Sequence, residues 1–115
     1  MQKKGFYCMR IEEDTNINKI TEEDIVVANA SILHAHGIIN GNIYIEEGST
    51  LFLHGMLHGN LQTEQNSSAY IYGTMDGEIL SCNGKIELSG MLHTKAAVPD
   101  NVIKIKGCYI NDIEF

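Results

Sequence analysis

The chain has 115 residues, 43% of them hydrophobic, and a formal net charge of −7. That length suits one compact domain. With 8 Lys and Arg against 15 Asp and Glu, the balance excludes a phosphate-tracking nucleic-acid binder and an anionic membrane surface, and it permits a basic protein partner.

The opening Met1-Gln-Lys-Lys-Gly-Phe6 has basic residues but no apolar core behind them. No apolar run reaches the roughly 20 residues that span a bilayer. No signal peptide is therefore predicted, and the cytoplasm is the expected compartment. Cys8, Cys82 and Cys108 are odd in number and scattered, which is neither a disulfide framework nor metal-site spacing. Residues 1–24 share no repeat with the rest. Phe6 to Ile11 reads as a strand, and Thr21-Glu-Glu-Asp24 as a turn or helix start. This segment is expected to cap the first coil, because the open end of a stacked sheet is an exposed edge.

From residue 25 onward a repeat governs the pattern. Gly37, Gly55, Gly73, Gly90 and Gly107 recur at intervals of 18, 18, 17 and 17 residues. Gly41, Gly59 and Gly77 follow four residues after the first three, and Thr94 and Asn111 stand in that place in the last two coils. Apolar columns keep the same register: Ile43, Leu61, Ile79 and Ala96; Leu51, Ala69, Ile86 and Ile103; Leu53, Ile71, Leu88 and Ile105; Leu57, Met75, Leu92 and Tyr109. Within a coil they alternate with polar residues, as in Leu51-Phe-Leu53-His, which is the period of strands with one buried face. Gly48, Asn66, Gly84 and Asn101 mark a corner that favours a left-handed bend.

Such a unit cannot bury its own apolar face, but stacked units can. The predicted fold is all-β: a small single-stranded parallel β-helix of about five 17–18-residue coils over residues 25–115, with residues 1–24 as a non-repeating N-terminal cap. An antiparallel sandwich would not align columns at a constant interval.

The glycine-paired coils, Gly37-Ile-Ile-Asn-Gly41-Asn-Ile43, Gly55-Met-Leu-His-Gly59-Asn-Leu61 and Gly73-Thr-Met-Asp-Gly77-Glu-Ile79, resemble those of bactofilins, which are bacterial cytoskeletal proteins. The resemblance covers about residues 25–107. It implies a right-handed β-helix and end-to-end stacking into filaments.

Catalytic machinery is not evident. No nucleophile elbow, phosphate-binding glycine loop or metal-ligand spacing is present. The six-residue cadence of hexapeptide acyltransferases is missing as well. No catalytic residue, cofactor or metal ligand is therefore assigned. His36 and His54 share an outward column, and a third ligand such as Asp76 or Cys82 would have to converge on them to hold zinc. His58 and His93 share another column with Asn40 and Asp76. Cys82 and Cys108 are expected to face outward.

The candidate partner-binding residues are the carboxylates Glu12, Glu13, Asp14, Glu22, Glu23 and Asp24, with Glu46, Glu47 and Glu64 adding charge, and the aromatics Phe52, Tyr70 and Tyr72, with Tyr44 nearby. Acidic charge steers a basic partner and aromatic anchors hold it. The expected function is a non-enzymatic binding module. Its most concrete form is an immunity-type protein that neutralises a basic bacterial toxin domain. The alternative is a self-associating bactofilin-like scaffold.

Overall fold

The computed structural model describes residues 8–115 of the chain. About six coils are stacked; each of the first five lays one short strand into each of three parallel-paired sheets, and the last adds a strand to the second and third only. The first sheet holds Cys8–Ile11, Asp24–Val27, Ile43–Ile45, Leu61–Thr63 and Ile79–Cys82. The second holds Thr15–Ile17, Ile32–Ala35, Thr50–Leu53, Ser68–Ile71, Lys85–Leu88 and Ile103–Lys104. The third holds Ile20–Thr21, Ile38–Asn40, Met56–His58, Thr74–Asp76, Met91–His93 and Tyr109–Ile110, and closes on Ile113–Glu114. Among the described residues, no helix is long and apolar enough to cross a membrane.

The core is the stack of inward columns. Ile25, Ile43, Leu61 and Ile79 pair in succession along the first sheet. Leu33, Leu51, Ala69 and Ile86 do so along the second, beside Ala35, Leu53, Ile71 and Leu88. Ile39, Leu57, Met75 and Leu92 line the third. Nearly all are fully buried. Each large aliphatic side chain contributes about 1.5–3 kcal/mol on burial, which no single coil could achieve alone.

Glycines set the spacing between coils. A Cβ on Gly55 would lie 2.0 Å from the carbonyl oxygen of Gly37, and one on Gly73 would lie 2.0 Å from that of Gly55. Asparagines tie the corner between the third and first sheets. Asp24 Oδ1 accepts from the amide of Asn42, Asn42 Oδ1 from that of Asn60, and Asn60 Oδ1 from that of Glu78, all at 2.8–2.9 Å. The side chains thus run a second hydrogen-bond ladder along the stack, beside the backbone bonds that Gly41, Ile43, Gly59 and Leu61 donate through the same corner.

Several expectations are corrected at the ends of the stack. Residues 8–21 are not a cap but the first coil. Met9 pairs with Ile25, Asn16 with His34 and Ile20 with Ile38, all in parallel. Of the expected strand from Phe6 to Ile11, Phe6 and Tyr7 lie outside the described residues. Thr21 to Asp24 forms a corner between two strands. The first coil carries no glycines because it needs none: Lys19 and Glu23 stand where Gly37 and Gly41 follow, and no described coil lies beneath them to meet a side chain.

At the other end the register slips. Val102 is buried while Ile103 and Ile105 are exposed, and Lys104 rather than Ile105 pairs with Leu88. Ile110 rather than Tyr109 pairs with Leu92. Ala96 is exposed. Gly107 leaves the glycine column and takes φ +96°, absorbing the extra residue of this coil. Ile113–Glu114 then turns back antiparallel along Tyr109–Ile110.

Of the four expected left-handed corner residues, Gly48 and Asn66 have positive φ. Gly84 and Asn101 do not. Four residues, 64–67, join the first and second sheets in one coil, whereas only Asn83 and Gly84 join them in the next. A bulge compensates: Leu61 pairs with Ile79, but Gln62 pairs with Ser81 and Thr63 with Cys82. The bulge turns Cys82 inward, where it is buried, and leaves Leu80 53% exposed. Cys108 is also buried, in the column behind Gly90. Neither cysteine faces outward as expected.

Candidate functional site

The outward face of the second sheet carries six rings in two columns of three. His34, Phe52 and Tyr70 occupy one column, because each pairs directly with the next. His36, His54 and Tyr72 occupy the other, one step beyond the strand ends. Two-residue spacing within a coil and one coil between columns set the rings side by side. Along the first column the centroids are 4.8 Å and 5.0 Å apart, and along the second 4.6 Å and 5.4 Å, with planes within about 15° of parallel. Glu87 continues the first column, and Lys85, two residues before it on the same strand, sets its Nζ 5.4 Å from the Tyr70 centroid, within cation–π reach.

The two columns differ in exposure. Phe52, Tyr70 and His34 are half-buried, sandwiched by neighbours that stabilise the coil register. His36, His54 and Tyr72 are exposed, Tyr72 at 49%. Phe52, Tyr70 and Tyr72 therefore come together as expected, and the histidines join them in one aromatic face. Tyr44 does not. It lies on the first sheet and its hydroxyl donates to Glu64.

The carboxylates separate into two corners. Glu12, Glu13 and Asp14 lie between the first and second sheets, the corner that also holds Glu46, Glu47 and Glu64. This corner begins the strands of the second sheet, at the end opposite the His36–His54–Tyr72 column. Arg10 partly neutralises it, bonding Glu12 at 2.7 Å and Glu46 at 3.3 Å. A groove here is lined by Tyr44, Glu47, Gln62, Glu64 and Asn83. Glu22, Glu23 and Asp24 lie at the corner between the third and first sheets, across the full width of the first sheet. The six N-terminal carboxylates thus do not make one surface. Three are also engaged by the fold: Asp14 accepts the backbone amide of Ile32 at 3.0 Å, Asp24 that of Asn42 at 2.9 Å, and Glu22 the side-chain amide of Asn40 at 3.4 Å.

Neither ligand expected to complete the His36–His54 pair does so. Asp76 sits on the third sheet between His58 and His93, and Cys82 points into the core. His34 converges instead, and the ligand atoms of His34, His36 and His54 lie within 4.8 Å of one another. His34 was legible as the outward residue two before His36, but only the pairing of His34 with Phe52 places it against His54.

The parallel β-helix expected from the glycine-paired coils is the architecture observed. Comparison with family models, curated proteins and solved structures found no match to this chain.

Proposed function

We propose that the protein is a binding module for a basic protein partner, with the aromatic face of the second sheet as its anchor and the adjoining acidic corner as its steering rim. The observation that carries this reading is the exposed His36–His54–Tyr72 column beside the Phe52–Tyr70 column on the second sheet, with Glu46, Glu47 and Glu64 at the corner where the strands of that sheet begin, all on one rigid scaffold. Rigid aromatic rings supply contact area with little entropy lost on binding. Carboxylates along the rim raise the association rate of a basic partner. An immunity-type neutraliser of a basic toxin domain is the most concrete form.

Calorimetric titration of the protein encoded beside this chain's gene tests the proposal. Tight binding is expected, weakened at least about tenfold by Tyr72→Ala, with Glu46→Gln and Glu47→Gln lowering the association rate at low salt. No binding, or binding indifferent to all three changes, would reject it.

A second reading is end-to-end self-assembly. It is favoured by Ile103, Ile105, Ile113 and Phe115, which expose apolar surface at the last coil. It is also favoured by the first coil, which is itself an ordinary parallel coil. It is opposed by the antiparallel return of Ile113–Glu114, which breaks the parallel pattern. Light scattering across a concentration series decides between them: growing polymers support the scaffold, and a constant small mass supports the binding module.

A further inference from the structure

We propose that His34, His36 and His54 form a binding site for a divalent transition-metal ion on the second sheet. The proposal does not rest on the protein-binding reading. His34 lies on the strand Ile32–Ala35 and His36 directly follows that strand, two residues on, so both rings face outward, and His54 enters from the next coil in the column of His36. Their ligand atoms all lie within 4.8 Å of one another. Tetrahedral coordination at a metal–nitrogen distance of about 2.0–2.1 Å brings ligating nitrogens to roughly 3.4 Å, so the rings must close by about 1.4 Å.

That closure is a matter of side-chain rotation. The His36 and His54 rings stack 4.6 Å apart and 5° from parallel, so their lone pairs run side by side and must turn to converge. Both residues are exposed, and no hydrogen bond or ion pair holds any of the three rings among the described residues. The remaining two histidines differ in this respect. His58 faces Asp76 at 4.0 Å and His93 faces Asp112 at 3.3 Å.

The donor set selects the metal class. Three imidazoles with no carboxylate favour zinc, copper, nickel or cobalt over calcium or magnesium. Imidazole binds metal in its neutral form. Because the site lies on an outward face, its fourth position is open to water or to a side chain of another molecule.

Zinc chloride titrated calorimetrically into the full chain, stripped with chelator and held at about pH 7.5, tests the proposal. Cobalt(II) absorption in the visible region gives an independent readout of tetrahedral nitrogen ligation. One zinc per chain is expected. His36→Gln and His54→Gln should each weaken it by more than about tenfold, whereas His58→Gln should not. Far-ultraviolet circular dichroism of each variant checks that the fold is retained. No binding at millimolar zinc, binding unchanged in both His36→Gln and His54→Gln, or an equal loss in His58→Gln would overturn the assignment.

Discussion

Gly55→Ala forces two adjacent coils apart. The new Cβ would stand 2.0 Å from the Gly37 oxygen and 2.6 Å from the His36 oxygen, where ordinary contact begins at 3.4 Å. The backbone must therefore open by about 1.4 Å at that point. The oxygen it strikes is the one that accepts from the amide of Met56 at 3.0 Å, and the amide of Gly55 itself donates to Ala35 at 2.9 Å. Disrupting both leaves buried polar groups unpaired, at about 1–3 kcal/mol each. The lower chain entropy of Ala in the unfolded state offsets about 0.4–1 kcal/mol. The expected net loss is about 3–5 kcal/mol, a large part of a typical domain's stability. With a denaturant slope near 1.5 kcal/mol/M, the urea midpoint should fall by about 2–3 M. Gly107→Ala is the control. Nothing lies within 4 Å of its Cβ, and only its φ of +96° resists a side chain. That change should cost about 1–2 kcal/mol. A Gly55→Ala protein within about 1 kcal/mol of the parent, or more stable than Gly107→Ala, would refute the idea that close backbone contact sets the coil spacing.

Asn60→Ala removes the acceptor for the Glu78 amide and should cost about 1–2 kcal/mol in urea unfolding, while Asn60→Asp keeps an acceptor and should recover most of it. In the folded protein only Cys8 should react promptly with a thiol reagent, because Cys82 and Cys108 are buried and burial pushes the Cys82 thiol up; three equivalents should react in denaturant. The His54 pKa is lowered in the fold by burial first and then by His36 and His34, so the unfolded chain binds its proton more readily. The stability tied to neutral His54 is present above its unfolded pKa of 6.5 and is lost as the pH falls through the lower folded value. Between about pH 7.5 and 5, chelator-treated parent protein should lose more of its urea midpoint than His54→Gln, and an equal loss would contradict the assignment.

Much of the fold was legible because a solenoid turns a three-dimensional constraint into a one-dimensional one. Each interior coil meets the same neighbours above and below, so Leu33, Leu51, Ala69 and Ile86 recur at a fixed interval. Where a coil has one neighbour rather than two, that constraint relaxes. The first coil dispenses with glycine at Lys19 and Glu23, and so it was invisible as a repeat. In the last coil Ile103, Ile105 and Tyr109 mimic the core columns, while Val102, Cys108 and Ile110 fill them. Cys82 was misplaced for a local reason: a strand pattern cannot reveal that a bulge at Leu80 has reversed the alternation after it.

The sequence by itself determined the architecture, the aromatic columns through Phe52, Tyr70, His36 and His54, and the excess of carboxylates. Those are consequences of period and composition, which the chain carries locally. The tertiary structure alone decided which groups share a surface. Corner geometry sent Glu12, Glu13 and Asp14 to the start of the second sheet's strands and Glu22, Glu23 and Asp24 to the far side of the first sheet. Inter-coil pairing set His34 beside His54, 20 residues away, and took Asp76 and Cys82 out of reach of both. Proximity between coils depends on how each turn is closed, and a bulge of one residue re-aims the side chains up to the next corner without altering the repeat that announces the fold.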